Sequence, residues 1–365
     1  MEAVLYGWGL YKMKIAQISP LVESVPPVLY GGTERVVSYL TEELVRQGHE
    51  VTLFASGDSI TDASLLSPCP TALRFDQSCQ DPLAFITLML DDVFQRISEF
   101  DVVHFHLDYL HLPLWRMHPC PAITTMHGRL DLKQLTPVYR RFREMPLVSI
   151  SIAQRAPLEW ANWRANVYHG LPLNLYRPSY ESGKYLAYLG RIAPEKRPDF
   201  AIQIAIRAGI PLKIAAKIDR VDREYFEQQI EPLLENPLIE YIGEVTDGEK
   251  ERFLGEALAL LFPIDWPEPF GLVMIEAMAC GTPVVAFRRG SVPEIVDHGA
   301  TGYIVDNCDE AVKALRDISK LSRRTIRRCF EKRFSAERMA LDYVALYQRV
   351  RSEAPNSQYS VTRCS

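Results

Sequence analysis

Short apolar runs alternate with helical patterns along most of the chain, and this alternation is its clearest structural signal. In the first half, helical spacing of apolar residues marks segments 31–49 and 82–100. Runs rich in β-branched residues lie between and after these helices and predict strands at residues 14–19, 50–56, 101–106, 122–127, 147–153 and 166–171. Such strand–helix–strand alternation predicts a parallel sheet that is covered on both faces.

The second half repeats the pattern after a turn-rich segment at residues 172–184. Its predicted strands are residues 184–191, 211–217, 239–245, 258–264, 283–287 and 302–306, and its predicted helices are residues 198–209, 225–235, 247–257 and 271–280. The chain is therefore predicted to be an α/β protein with two Rossmann-like, doubly wound domains at 13–175 and 183–333, which face each other across a central cleft. Ligands of such folds bind at the C-terminal ends of the strands.

Composition narrows the class of protein. The chain has 365 residues, of which 47% are hydrophobic and 24% charged, and this agrees with two globular domains. The net charge of −5 gives no reason to expect nucleic acid as a partner. The 7 cysteines form no C-x-x-C pair, which favours reduced thiols and a cytoplasmic location. No apolar run is long enough to predict a membrane span.

The two ends of the chain differ from the predicted domains. Residues 1–12 lack the basic start and long apolar core of a signal peptide and are interpreted as an upstream start or a loose leader. The polar, aperiodic residues 352–365 are predicted to be flexible, as is the 1–12 segment. Between them and the second domain, residues 336–350 form an amphipathic helical pattern.

Two motifs with glycines or cations follow predicted strands. In "LYGGTER", Gly31 and Gly32 precede a helix, where a glycine turn lets the backbone approach a ligand or simply makes a turn. The spacing is not G-x-G-x-x-G, which disfavours a nicotinamide cofactor. In "LGRIAPEKRP", Arg191 and Lys196 lie at the mouth of a strand and are interpreted as a pyrophosphate clamp, with a solvated surface pair as the alternative. Arg197 is assigned to the surface.

Histidines are the next candidates. His127 in "TTMHG" ends a predicted strand, a position that favours a ligand contact over a structural role. His104 and His106 alternate on one strand, but no Asp or Cys set completes a metal site with them. The chain contains no D-x-D motif.

The stretch "FPIDWPEPFGLVMIEAMACGTPVVAF" carries two carboxylates, Glu268 in a proline-rich loop and Glu276 in an apolar helix. The amides of the first helical turn, from Phe270, Gly271 and Leu272, have no intrahelical partner and can bind phosphate or sugar oxygens. A buried carboxylate without a partner costs several kcal/mol, so Glu276 must be hydrogen-bonded, and a ligand's hydroxyls in the cleft offer such bonds.

These motifs together resemble the retaining glycosyltransferases of family four, which have the GT-B fold. "EPFGLVMIEAMACGTPVVA" is similar to the E-x7-E signature of that family, and "GGTERVV", "MHG", "GRIAPEKRP" and "GSVPEIVDHGATGYIV" follow in the family's order over about residues 14–350. One departure is His169-Gly170, where the family often has Asn-Gly.

The resemblance implies a hexosyltransferase that uses a UDP- or GDP-linked sugar, retains the anomeric configuration and needs no metal or other cofactor. It implies that Glu276 binds the ribose, that Arg191 and Lys196 hold the diphosphate, and that Glu268 and the amides of residues 270–272 hold the sugar. His127 would lie near the anomeric carbon, and the loop of Gly31 and Gly32 would close over the phosphates. The helix at 336–350 is expected to cross back onto the first domain.

Alternatives remain open at this point. A non-hydrolysing sugar-nucleotide epimerase has a related fold but gives no reason for the E-x7-E pair, and a binding module would not need every polar motif position intact. The acceptor can be a small molecule, a glycan or a lipid-linked group, contacted by the loops at 57–82 and 107–145. Arg140, Arg141 and Arg143 are interpreted as a solvated face, with peripheral contact to the inner membrane face as the alternative.

Overall fold

The computed structural model describes residues 12–28, 31–181 and 183–353. The predictions of flexibility for residues 1–12 and 352–365 therefore fall almost entirely outside the described residues. Within the described residues, the chain forms two parallel sheets, one from each half. The prediction of two doubly wound α/β domains is thereby confirmed.

The N-terminal sheet has seven strands in the order β3-β2-β1-β4-β5-β6-β7. These strands are β1 (Lys14–Ile18), β2 (Glu50–Phe54), β3 (Ser64–Leu66), β4 (Val102–Phe105), β5 (Ala122–Thr125), β6 (Leu147–Ser149) and β7 (Trp163–Asn166). The direction of the strand order reverses beside β1, which pairs with β2 on one side and β4 on the other. Ligands of doubly wound sheets bind at this switch point, at the carboxyl ends of the strands.

The C-terminal sheet has six strands in the order β10-β9-β8-β11-β12-β13. These strands are β8 (Tyr185–Arg191), β9 (Leu212–Lys217), β10 (Ile239–Gly243), β11 (Ala257–Phe262), β12 (Val284–Phe287) and β13 (Gly302–Val305). Its switch point lies between β8 and β11, and the loops that follow these two strands carry the motifs around Lys196 and Glu268.

Helices cover the faces of both sheets. In the described N-terminal part they are α1 (Gly32–Arg46), α2 (Pro82–Gln95), α3 (Leu112–Met117) and α4 (Leu135–Arg141). The C-terminal part contains α5 (Pro198–Ala208), α6 (Arg223–Tyr225), α7 (Asp247–Gly255), α8 (Leu272–Ala279), α9 (Val292–Ile295), α10 (Cys308–Arg316) and α11 (Arg323–Arg333), and is followed by α12 (Ala336–Glu353). No helix of the described part combines the length and apolar character required to cross a bilayer.

Local sequence signals fix several of these helices. Asp81 caps α2 by accepting a hydrogen bond from the Leu83 amide, with Pro82 at the first helical position. A capping box between Thr246 and Glu249 starts α7. Strands β4 and β5 are buried at every residue, which explains why their sequences show no alternation of apolar and charged residues.

Helix α12 returns to the N-terminal half and packs against α1 and β5. The Tyr343 hydroxyl lies 2.8 Å from Oγ1 of Thr125 in β5. At the crossing point the Leu171 amide donates to the Phe334 carbonyl at 2.9 Å. Gly170 is required there, because a Cβ at this residue would lie 2.2 Å from the Ser335 carbonyl oxygen.

Some elements differ from the predictions. The strand expected at 166–171 is wrong, since β7 ends at Asn166 and the buried residues after it form the linker that packs against the start of α12. The helix expected at 225–235 is broken into short α, π and 3₁₀ pieces, with Pro232 in the last piece. Strand β3 and helices α3, α4, α9, α10 and α11 were not predicted.

Candidate active site

One cleft of about 400 Å³ lies between the carboxyl edges of the two sheets. Every residue that the sequence nominates for the site lines it: Gly31, Gly32, His127, Arg191, Lys196, Glu268, Phe270, Gly271, Leu272 and Glu276. They come from four separate motifs in both halves, and the fold brings them to one place.

The loop before α8 forms one wall. Gly271 has φ 78° and starts the helix, and a Cβ there would lie 2.8 Å from Cε of Met274. Glycine is therefore required by both backbone conformation and space. Ser291 holds the loop from outside, because its amide donates to the Glu268 carbonyl at 3.0 Å and its hydroxyl to the Phe270 carbonyl at 2.7 Å.

Lys196 and Glu268 form a salt bridge at the same wall. The indole of Trp266 also donates to Oε2 of Glu268 at 2.9 Å, and Nζ of Lys196 lies 4.7 Å from the centre of the Trp266 ring. Both charged side chains are largely shielded, with exposures of 19% and 11%. The sequence indicated Lys196 and Glu268 separately, but it indicated neither their salt bridge nor the hydrogen bond from Trp266.

Arg191 lies at the end of β8 among carboxylates. Its guanidinium is 3.0 Å from Oδ2 of Asp222, 2.5 Å from Oε1 of Glu195 and 3.6 Å from Oδ2 of Asp219. The side chain is 25% exposed and lines the cleft. These acids hold the cation at the strand mouth and compete with an anionic ligand for it. Arg197, assigned to the surface, instead pairs with Asp199 and lies outside the cleft lining.

Glu276 lies on the floor of the cleft and is 3% exposed. Nζ of Lys250, on α7, donates to its Oε1 at 3.0 Å and also lies 3.2 Å from Oδ1 of Asp247. Asp247 in turn pairs with Arg35, a buried residue of α1 in the opposite half. The carboxylate therefore has a protein partner, which sequence analysis did not identify.

The sequence does not indicate that Lys250 pairs with Glu276 or that Arg35 pairs with Asp247. Lys250 lies in an ordinary capped helix, and its contact with Glu276 exists only because α7 packs beside α8. Arg35 does carry one signal, since it follows the nominated glycines and precedes a run of buried apolar residues in α1.

His127 lines the cleft from the N-terminal half and contacts two other histidines. Its Nε2 lies 2.8 Å from Nδ1 of His106, and its ring stacks on His169 with centroids 5.4 Å apart and an interplanar angle of 14°. Burial lowers the pKa of His127 to about 3, so the ring is neutral at physiological pH. His169 also lines the cleft, although the sequence indicated it only as a departure in the linker.

The two halves touch beside the site. From α9, the Glu294 carboxylate accepts hydrogen bonds from the amides of Ile152 and Ala153, both at 2.7 Å, and from the Tyr168 hydroxyl at 3.0 Å. The hydroxyl of Ser151 donates to the Pro269 carbonyl at 2.6 Å. These bonds hold the N-terminal half against the loop that carries Glu268.

No cluster of three or more His, Cys, Asp or Glu side chains suited to a metal ion occurs in residues 12–28, 31–181 and 183–353. His104 and His106 are hydrogen-bonded to neighbouring side chains, with His104 between Thr125 and Tyr347 at 2.7 Å each. The candidate chemistry of the cleft therefore lies in its cations, carboxylates and helix terminus. Cations and first-turn amides attract anionic oxygens, and carboxylates accept hydrogen bonds from hydroxyl groups.

Two doubly wound domains that face one cleft, with the second domain followed by a helix that returns to the first, form the GT-B fold. The sequence profile described as "Glycosyl transferases group 1" matches residues 177–333, and that of "Glycosyltransferase Family 4" matches residues 30–165. The chain belongs to the family 4 glycosyltransferases.

Curated relatives share parts of the chain. The N-acetyl-alpha-D-glucosaminyl L-malate synthase of Bacillus anthracis is 30% identical over 190 residues, 49% of each protein. The D-inositol 3-phosphate glycosyltransferase of Mycolicibacterium smegmatis is 25% identical over 332 residues, 76% of each. The match thus spans about half the length of the first relative and about three quarters of the second.

Among solved structures, Anabaena HepE in complex with UDP and glucose superposes with a TM-score of 0.71 at 18% identity, over 92% of this chain and 99% of that one. At this level of identity the superposition establishes the fold.

Proposed function

We propose that this protein is a retaining hexosyltransferase that moves a sugar from a UDP- or GDP-linked donor to an acceptor hydroxyl. The observation that carries the proposal is the arrangement of charge in one cleft. Arg191, Lys196 and the start of α8 line the cleft together with the carboxylates of Glu268 and Glu276. A nucleotide sugar has the matching groups: a diphosphate between two polyhydroxylated rings.

Lys196, Arg191 and the first-turn amides of α8 are assigned to the diphosphate. The helix terminus contributes about half a positive charge, and the two side chains add point charges as the leaving group becomes more negative. Lys196 is paired with Glu268, so the diphosphate of the donor shares the ammonium with that carboxylate or competes with it.

Glu276 is assigned to the ribose and Glu268, with the amides of Phe270, Gly271 and Leu272, to the transferred sugar. Lys250 engages Oε1 of Glu276 and holds the carboxylate ionised and oriented, so that it can accept hydrogen bonds from hydroxyl groups. Gly31 and Gly32 are assigned to the loop over the phosphates, and a Cβ on Gly31 would lie 2.8 Å from Cβ of Pro27. His127 is neutral and is assigned to positioning at the sugar rather than to acid catalysis.

Related proteins support the donor class. HepE was crystallised with UDP and glucose, and two curated relatives are named for transfer to inositol phosphate and malate. The acceptor of this chain is proposed to be a hydroxyl of a small molecule, a glycan or a lipid-linked group. Metal independence is part of the proposal, and activity should persist in EDTA.

The reaction is proposed to take place in the cytoplasm. Arg140, Arg141 and Arg143 are exposed in and just after α4, on the N-terminal half, where they can attract a phosphorylated acceptor or an anionic membrane surface. Cosedimentation with vesicles containing anionic lipid separates these cases: retention that falls with added salt favours the membrane, and no retention favours a soluble acceptor.

The experiment that tests the function is incubation with a panel of UDP-, GDP- and ADP-sugars, with and without candidate acceptors. A transferase releases nucleoside diphosphate and forms a glycoside whose anomeric configuration matches the donor, as read by proton NMR. An epimerase instead changes the sugar of the nucleotide, and a binding module changes nothing. Glu227→Gln, a substitution at an exposed residue outside the cleft lining, is the control for cleft variants.

A further inference from the structure

A chain of hydrogen bonds runs from the cleft into the N-terminal half. It begins at His127, whose Nε2 is 2.8 Å from Nδ1 of His106. Nε2 of His106 is 2.9 Å from Oε1 of Gln17 in β1, and Nε2 of Gln17 donates to the Tyr347 hydroxyl at 3.0 Å. Three side chains therefore connect the candidate sugar site with α12.

The three members beyond His127 are shielded from water. Gln17, His106 and Tyr347 are exposed by 0%, 3% and 0%. Burial holds the pKa of His106 well below its usual range, and the neighbouring His104, His127 and His169 lower it further. Because His127 is also neutral, each of the two linked imidazoles carries a single N–H proton.

The direction of every bond follows from the Gln17 amide. Its nitrogen donates to Tyr347, so its oxygen faces His106 and can only accept. His106 therefore carries its proton on Nε2, and its Nδ1 is an acceptor. The proton between the two histidines must then belong to Nε2 of His127, which leaves Nδ1 of His127 unprotonated.

The other ring nitrogen of His127 makes no hydrogen bond within the described residues. Nδ1 is buried and has no hydrogen-bond partner among the described residues, and the same is true of Nδ1 of the stacked His169. Nothing in this surrounding therefore opposes the tautomer that the chain imposes.

We propose that Gln17, His106 and Tyr347 are positioning residues that fix the orientation and the tautomer of His127, so that its ring carries hydrogen on Nε2 and a lone pair on Nδ1. In this state the ring can accept a hydrogen bond at Nδ1 but cannot donate one there. Helix α12 thereby has a role in the cleft, because its Tyr347 sets the direction of the hydrogen bonds that end at His127. The effect on turnover rests on the proposed transferase function, whereas the tautomer does not.

Two substitutions on the same helix separate this role from simple packing. Tyr347→Phe removes the acceptor that orients the Gln17 amide, so the amide can turn and the proton order along the chain is no longer fixed. Tyr343→Phe also removes one buried hydroxyl from α12, but that hydroxyl lies against Thr125 rather than Gln17. Each variant thus removes one buried hydroxyl from α12, although that of Tyr347 also lies 2.7 Å from Nδ1 of His104, and the two have different predicted effects on His127.

The first readout is ¹⁵N NMR of histidine-labelled full-length protein, which has 8 histidines to resolve. The His127 signals are assigned from their absence in His127→Asn. We expect a protonated Nε2 and an unprotonated Nδ1 for His127 in wild type and in Tyr343→Phe, and a mixture of both tautomers in Tyr347→Phe. Protonation of Nδ1 in the wild type, or an unchanged pattern in Tyr347→Phe, would overturn the proposal.

The second readout is turnover of the nucleotide sugar that is active in the donor panel. Loss of a fixed His127 should lower kcat in Tyr347→Phe by about 10- to 100-fold with little change in donor KM, since misplacement beside the reacting centre has effects of this size. His106→Leu should act like Tyr347→Phe, while His106→Asn should retain activity because its side-chain oxygen can accept from Nε2 of His127. Equal kcat values in Tyr347→Phe and Tyr343→Phe would remove the positioning role, whatever the tautomer.

Discussion

At the scale of single residues, the charges of the cleft stabilise one another before any ligand arrives. Glu276 and Lys250 have exposures of only 4% and 14%, so neither charge is well solvated in the absence of its partner. Lys196 and Glu268 form a second pair of the same kind. Three of these four residues, Lys196, Glu268 and Glu276, are assigned to the donor, so the protein preserves the charges needed for binding in paired form.

The salt bridge between Lys250 and Glu276 should contribute to the free energy of unfolding. Lys250→Met leaves the Glu276 carboxylate buried without its cation, and we expect a loss of about 1–3 kcal/mol in the free energy of unfolding. The double variant Lys250→Met/Glu276→Gln removes both charges and should recover part of that loss. Urea denaturation of the two variants measures this, and a Lys250→Met protein as stable as wild type would show that the pair has no structural role.

Lys196 should matter for turnover more than for folding. Lys196→Ala removes a positive charge from the proposed leaving-group site, and a fall in kcat of about 100- to 1,000-fold is expected for a group of this type. Arg197→Ala is the matched control, because the next cation along the chain pairs with Asp199 outside the cleft lining. Steady-state rates for the two variants decide the assignment, and an equal, small effect of both would contradict it.

At the scale of elements, periodicity predicted most strands because buried parallel strands are continuous apolar runs. It failed at residues 166–171 for a physical reason: Val167, His169, Gly170 and Leu171 are buried against the start of α12 and not in a sheet. A buried linker can therefore show the same apolar sequence pattern as a buried strand. The motif residues of the cleft were predictable because each follows a strand, whereas Lys250 and Glu294 were not, because their partners are distant in sequence.

Helix α12 is predicted to stabilise the first domain. It packs on α1 and β5, and Arg338 donates to the carbonyls of Tyr168 and His169 at 2.6 and 3.1 Å. A chain ending at Arg333 should therefore lose protection from amide hydrogen exchange in β1, β4 and β5, where the buried tyrosines of α12 make their contacts. If protection falls only in residues 184–333, the helix stabilises the second domain instead.

At the scale of the whole molecule, the N-terminal half contains an unusual set of buried neutral histidines. Burial lowers the pKa of each of them below the usual value: His104, His106, His111, His127 and His169. An unfolded chain would bind protons at these residues near pH 6.5, while the folded chain would not. Stability is therefore full above about pH 6.5 and is lost as the pH falls.

His111 offers a clean test of this dependence. Its pKa is lowered to about 3, and its ring stacks on Phe105 inside the core. Each such histidine should cost about 1.4 kcal/mol per pH unit below its unfolded pKa. Urea unfolding between pH 7.5 and 4.5 should give a shallower slope for His111→Gln than for wild type, and an unchanged slope for the exposed His118→Gln. A pH-independent wild-type stability over this range would refute the account.

The central claim is that the cleft between the two sheets binds the nucleoside diphosphate part of a sugar donor, with Glu276 at its ribose. Calorimetric titration of wild type and Glu276→Ala with UDP, GDP and ADP tests it most directly. We predict that wild type binds at least one of them and that Glu276→Ala binds it about 10- to 150-fold more weakly, the equivalent of about 1.5–3 kcal/mol in lost charge-assisted hydrogen bonds. Failure of all three nucleotides to bind wild type, or equal affinity of both proteins, would contradict the claim.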